Sequence, residues 1–147
     1  MKRRTMLQSI SAAAFVPPGV WVTAGSELKG GGAADSGTVY ELRVYHARAG
    51  RLNDLLARFR EYTDKLFARH GMKSVAYWTP TDEPAKNNML IYILQHPSRE
   101  AAAANWKSFQ DDPEWKSVKT KSEENGPLVD KVDSTYMAMT DFSARLG

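Results

Sequence analysis

The chain has no cysteine among its 147 residues. Disulfides, thiolate metal sites and a cysteine nucleophile are therefore excluded. A protein built this way holds itself together by packing alone, or by packing against a second copy. It also lacks a strong charge of either sign once its first residues are set apart. The 20 Lys+Arg outnumber 17 Asp+Glu, but Lys2, Arg3 and Arg4 stand in the first four positions, and no acid occurs before residue 25. Taking those three away leaves 17 bases against 17 acids. Nucleic-acid binding needs a positive field to displace phosphate counterions, so a neutral domain argues against it. Attachment to a membrane surface through basic charge is disfavoured for the same reason. Long apolar runs are missing too. The stretch from Ile10 to Val22 is broken by Pro17 and Pro18 and falls short of the ~20 apolar residues that span a bilayer. Gly30-Gly31-Gly32 lacks the flanking strand and the Lys-Ser/Thr pair of a phosphate loop, and no serine sits in a nucleophile-elbow sequence.

What is present begins with an address. Lys2-Arg3-Arg4 is a charged n-region, Ile10 to Val22 is mostly apolar, and Val22-Thr23-Ala24 offers small residues where a signal peptidase reads. Arg3-Arg4-Thr5-Met6-Leu7 resembles the twin-arginine motif. A general secretory signal that happens to begin with two arginines is the alternative. Residues 1–24 are thus expected to be a signal peptide and residues 25–37 a flexible Gly/Ala/Ser linker. The mature domain, 38–147, is expected to be exported, periplasmic or secreted, with no stable membrane insertion after cleavage.

Within the domain the hydrophobic period alternates between two and 3.6. Val39 to Ala47 reads as a strand with Tyr40, Leu42 and Val44 on one face and Glu41, Arg43 and Tyr45 on the other. Leu52 to Arg69 reads as a helix whose stripe is Leu52, Leu55, Leu56, Phe59, Tyr62, Leu66 and Phe67, closed by His70-Gly71. Val75 to Thr79 is a short strand, and Pro80 to Asn88 a hairpin loop. Met89 to His96 is a strand apolar enough to be covered on both faces. Ser98 caps a helix carrying Trp106 and Phe109, and Asp112-Pro113 starts another. The last strand is Lys131 to Asp141. The order strand, helix, strand, strand, helix, strand gives an α+β, ferredoxin-like βαββαβ subunit. Its two helices cover one sheet face. The other face is half apolar and wants a cover, most simply a second subunit across a two-fold axis.

Several short motifs recur in a fixed order: Tyr40-Glu41-Leu42-Arg43-Val44-Tyr45, His70-Gly71-Met72, Tyr77-Trp78, Trp106-Lys107-Ser108-Phe109, Asp112-Pro113-Glu114-Trp115-Lys116 and Asp141-Phe142-Ser143. In this order and spacing the chain resembles the NIPSNAP family across essentially the whole mature domain. The resemblance implies a dimeric α/β barrel, in which two such sheets join, and hence a homodimer. The family has no defined activity to carry over, so an exported dimeric module for a small molecule or a protein is the expected function.

A candidate pocket is formed by Glu41, Arg43, Tyr45, Trp78 and Tyr92. A carboxylate, a guanidinium and a phenol side by side could orient a small polar ligand or move protons. The competing expectation is that Glu41 and Arg43 satisfy each other, or groups on a second copy, inside a partly polar barrel. A cofactor-independent monooxygenase with Arg43, Tyr45 and Trp78 around an apolar cavity is the alternative function. His46, His70 and His96 show no metal-pair spacing and lie at element ends, where solvated histidines are common. No metal site and no cofactor are expected. Haem, which some barrel relatives bind, enters by fold analogy only. Trp78, Trp106 and Trp115 with Tyr77 and Tyr92 could line an aromatic pocket, but such residues more often serve as core and dimer-interface packing, and Trp106 with Phe109 at helical spacing reads as core.

Overall fold

The computed structural model describes residues 37–146, so the expected signal peptide, 1–24, and all but the last residue of the expected linker, 25–37, lie outside the described residues. The order is β1 (Val39–Ala47), α1 (Leu52–Arg58), a π-helical turn (Phe59–Thr63), α2 (Asp64–Arg69), β2 (Lys73–Trp78), β3 (Met89–His96), α3 (Arg99–Asp111), α4 (Pro113–Ser122) and β4 (Val129–Met137). The strands pair antiparallel in the order β2-β3-β1-β4, the expected ferredoxin-like sheet.

The caps are as the side chains dictate. Ser98 Oγ accepts from the Ala101 amide at 3.0 Å. Asp112 accepts from the amides of Glu114 and Trp115, with Pro113 at the first helical position. Gly71 follows α2 at φ +74°, a left-handed position where a Cβ would also press on the Asn105 side chain. Two strands differ from expectation. β2 begins at Lys73, which pairs with Gln95 and so uses β3 nearly to its end. β4 stops at Met137, opposite Tyr40, because little of β1 remains beyond that pair.

The long helix also differs. Phe59–Thr63 takes the wider π turn, which rotates Tyr62 away from the core and leaves it 42% exposed, whereas Thr63 is buried. The Thr63 hydroxyl donates to the Arg58 carbonyl at 3.2 Å, satisfying a backbone acceptor at the irregularity. Tyr62 therefore does not belong to the apolar stripe; its place is taken by Thr63.

β3 alternates without error. Leu90, Tyr92, Leu94 and His96 are buried beneath the helices, and Met89, Ile91, Ile93 and Gln95 are half-buried on the opposite face. The core joins Leu90, Tyr92 and Leu94 to Leu55, Phe59, Leu66, Phe67, Met72, Phe109 and Leu128. The register sets Arg43 beside Tyr92, so Glu41, Arg43 and Tyr45 lie on the helix-covered face. Leu42, Val44, Ile91 and Ile93 pair across the opposite face, where no helix among the described residues covers them.

Thr63→Val should lower stability by about 1 kcal/mol through the lost hydrogen bond, whereas Tyr62→Ser should stay within about 0.5 kcal/mol. Urea denaturation reads both. The reverse ranking would mean that the helix runs through this turn in ordinary α geometry.

Candidate functional site

Glu41 lies in the middle of β1 with 1% of its surface exposed. A carboxylate in such a place demands donors, and four reach it. Oε1 accepts from Arg43 Nη1 at 2.9 Å and from Ser134 Oγ at 2.7 Å. Oε2 accepts from His96 Nε2 at 3.0 Å and from Trp106 Nε1 at 2.7 Å. Burial alone would raise the carboxyl, but the bonds from His96, Ser134, Trp106 and Arg43 outweigh it and bring its pKa down to about 2. Glu41 is thus ionised, and His96 carries its proton on Nε2. A carboxylate that already accepts four hydrogen bonds has little capacity left as a base.

Arg43 continues the network. Its Nη2 donates to the Tyr45 hydroxyl at 3.3 Å, and its guanidinium stacks 4.3 Å from the Trp106 ring centroid. The pairing of Glu41 with Arg43 expected from sequence is correct, but its setting is not a barrel interior shared with a second copy. Both residues face the helices of their own chain, because the sheet face carrying them is the one α3 covers. Tyr92 joins them. It is fully buried, tilted against Tyr45 at 5.4 Å, and its phenol is pushed well above the ordinary range, first by burial and then by Tyr45. Trp78 does not join them. It pairs with Ile91 on the opposite sheet face and is 47% exposed. Arg43, Tyr45 and Trp78 therefore do not surround one cavity.

The open space lies elsewhere. A cleft of about 330 Å³ is lined by Leu56, Phe59, Arg60, Asp64, Tyr77 and Leu90. Its walls are the π-helical turn with the residues flanking it and the facing positions of β2 and β3. Asp64 Oδ1 accepts from Tyr77 Oη and Ser74 Oγ, both at 2.7 Å. Burial, and then Asp64, hold the Tyr77 phenol well above its usual range, so it remains a neutral donor. The cleft thus has an aliphatic and aromatic floor, one carboxylate and one exposed guanidinium. Of its residues, only Tyr77 is among the aromatic side chains that the sequence offers as a possible pocket wall. Asp64 lies off the apolar stripe of its helix, and nothing in the sequence shows that Ser74 and Tyr77 reach back to it.

The histidines are not free surface groups. His96 is fully buried against Glu41. His46 meets Asp133 at 2.8 Å on the uncovered sheet face, and His70 bonds through both ring nitrogens. The expectation of solvated histidines fails because each strand or helix end meets an acid from a distant element. None of the three lines the cleft, so the residues present do not fit a histidine-ligated haem there. Among the described residues no group of three or more His, Asp or Glu is arranged to hold a metal ion, and no helix is long and apolar enough to cross a membrane.

A four-stranded antiparallel sheet, helices on one face and a buried polar hub beneath them define a ferredoxin-like α+β protein. The chain belongs to the NIPSNAP family, whose model matches residues 40–144. No curated protein matches it. Among solved structures it is similar to an uncharacterised NIPSNAP-like domain protein from Burkholderia xenovorans, 18% identical over 75% of this chain and 91% of that one, with a TM-score of 0.64. It is also similar to a NIPSNAP family protein from Agrobacterium tumefaciens, 21% identical over 72% and 96%, TM-score 0.62. A dimeric ferredoxin-like protein from an uncultured marine organism is 14% identical over 76% and 96%, TM-score 0.55. These likenesses establish the fold.

Glu41 binds protons more weakly folded than unfolded, so its contribution is complete above the ordinary carboxyl pKa of 4.5 and is lost as pH falls towards about 2. The full shift corresponds to about 3 kcal/mol, and screening on the exposed Ser134 side brings it nearer to about 2. Glu41→Gln should cost about 3 kcal/mol at neutral pH and should flatten the stability profile between pH 4.5 and 2. Denaturant melts across that range give the answer, and an unchanged acid limb in the variant would remove Glu41 as its source.

Proposed function

We propose that this protein is an exported, homodimeric NIPSNAP module that binds a small, largely apolar molecule in the cleft beneath the π-helical turn. The observation that carries the proposal is the cleft itself. Phe59, Tyr77, Leu56 and Leu90 give it an apolar body, and Asp64 and Arg60 give it one polar group of each sign. Concave apolar space with few polar groups is what small-molecule sites share. A π-helical turn at its wall fits the same reading, since such turns recur at functional sites.

Two supports bear on the dimer. Leu42, Val44, Ile91 and Ile93 form an uncovered apolar sheet face, with Trp78 beside them. The marine structure of the same fold is described as dimeric. Export rests on the charged, apolar and small-residue segments of residues 1–24.

Native mass spectrometry of the protein purified from an expressing cell tests all three parts. A dimer of the chain lacking about its first 24 residues, carrying excess mass that Leu56→Trp removes by filling the cleft, is the expected result. A ligand-free dimer would overturn the binding role, and retention of residues 1–24 the export signal. Ile93→Lys should turn the dimer into a folded monomer by light scattering; a wild-type monomer would overturn the paired sheets.

A further inference from the structure

One polar line lies outside both the Glu41 hub and the cleft. His70 follows α2, and its ring joins two side chains from the junction of α3 and α4. Nε2 is 2.7 Å from Asp112 Oδ2, and Nδ1 is 2.8 Å from Ser108 Oγ. Exposure rises along the line. The Asp112 side chain is 8% exposed, the His70 side chain 13%, and Ser108 sits on the open face of α3. Asp112 is fixed from behind, because its Oδ1 accepts the Glu114 and Trp115 amides that open α4.

Protonation follows from these contacts. The His70 hydrogen bond, opposed in part by burial and aided by the α4 amides, holds the Asp112 carboxyl below its usual range. An ionised carboxylate accepts the hydrogen bond that Nε2–H donates, which leaves the Nδ1 lone pair to accept from the Ser108 hydroxyl. Acid, imidazole and alcohol are then joined in the sequence that activates a serine, with the two ring nitrogens exchanged relative to the hydrolase template.

We propose that Ser108 is a nucleophile activated by His70, with Asp112 as the positioning residue, and that it takes an acyl or phosphonyl group from small activated esters. Ser108 Oγ forms the bond to the acyl carbon as its proton passes to His70 Nδ1. Collapse of the tetrahedral adduct breaks the bond to the leaving alcohol, which departs with that proton. With a fluorophosphonate, Oγ bonds to phosphorus, fluoride leaves, and the proton remains on His70. Because Ser108 stands on an open helix face, substrates are limited by reactivity more than by shape.

The competing account is that His70 merely ties α2 to the α3–α4 junction. It gives Ser108 no reactivity beyond that of any exposed serine. The test is to treat the full chain with an alkyl fluorophosphonate and locate the modified serines by peptide mass spectrometry. Ser108 should react at least about 10-fold faster than Ser117, an exposed serine on α4. This comparison is internal to the wild-type chain and survives any folding defect in a variant. His70→Gln should slow Ser108 by about 100-fold and leave Ser117 unchanged. Asp112→Asn keeps a good helix cap and should slow Ser108 by at least about 10-fold, because an amide cannot hold the same tautomer against an imidazolium. Equal rates at Ser108 and Ser117, or a Ser108 rate indifferent to His70→Gln, would overturn the proposal.

Discussion

A carboxylate placed in the middle of a central strand sets the terms for this fold. Water is unavailable to Glu41, so its charge survives only if the protein supplies the donors. It draws them from every neighbouring layer: His96 from β3, Ser134 from β4, Trp106 from α3 and Arg43 from its own strand. Each bond is also a positional constraint. The indole of Trp106 can reach Oε2 only with α3 at one height along the sheet, and Ser134 reaches Oε1 only with β4 in its observed register. The hub therefore fixes which way the sheet faces. Because Glu41 and Arg43 turn inward, the aliphatic residues Leu42 and Val44 turn outward. The polar side of β1 is the covered side, and the apolar side is the one that no helix among the described residues covers.

Saturation of that carboxylate redistributes chemical capacity in the molecule. A group with four donors and a pKa near 2 is a structural anion. Arg43 is likewise spent on Glu41, Tyr45 and the face of Trp106. The polar groups of the two proposed sites lie instead where helical geometry is interrupted. The π-helical turn opens the cleft beside Phe59, Arg60 and Asp64. The junction of α3 and α4 turns one oxygen of Asp112 to its own helix and the other to His70. In both places an irregularity required by the fold leaves a polar atom facing outward with a defined orientation.

Much of this was legible from the residues. Period-two alternation marks β1 and a continuous apolar run marks β3, and Ser98, Asp112-Pro113 and Gly71 mark helix limits, because these are local effects of capping and left-handed backbone. The pairing of Glu41 with Arg43 followed from their placement two apart on a strand. What escaped depends on contacts between distant parts of the chain. Alternation separates the two faces of β1 but does not say which is inside, and Leu42 with Val44 looked as suited to a core as Tyr45. Trp78 was grouped with Tyr92 because both are aromatic; the bulge between Ser74 and Ala76 and the pairing with Ile91 put Trp78 on the other face. A π turn has no signature in the spacing of Tyr62 and Thr63. The partners of the histidines lie on other elements, and no local pattern announces them.

The motifs by which the family is recognised are scattered in sequence but meet in pairs in space. Glu41 and Arg43 of the first motif meet Trp106 of the fourth. His70 of the second meets Ser108 of the fourth and Asp112 of the fifth. A short motif that serves only local structure needs no distant counterpart, as Pro113 shows: its role at the start of α4 is complete within one turn. Asp112 is different, because one carboxylate oxygen would suffice to cap the helix. Its second oxygen is directed at His70 and shared more distantly with Arg69 at 3.5 Å. A capping serine or asparagine would satisfy α4 equally well and present no charge to the imidazole. The aspartate thus contributes something beyond capping, an anion held behind His70, and the atom on the far side of that ring is the hydroxyl of Ser108.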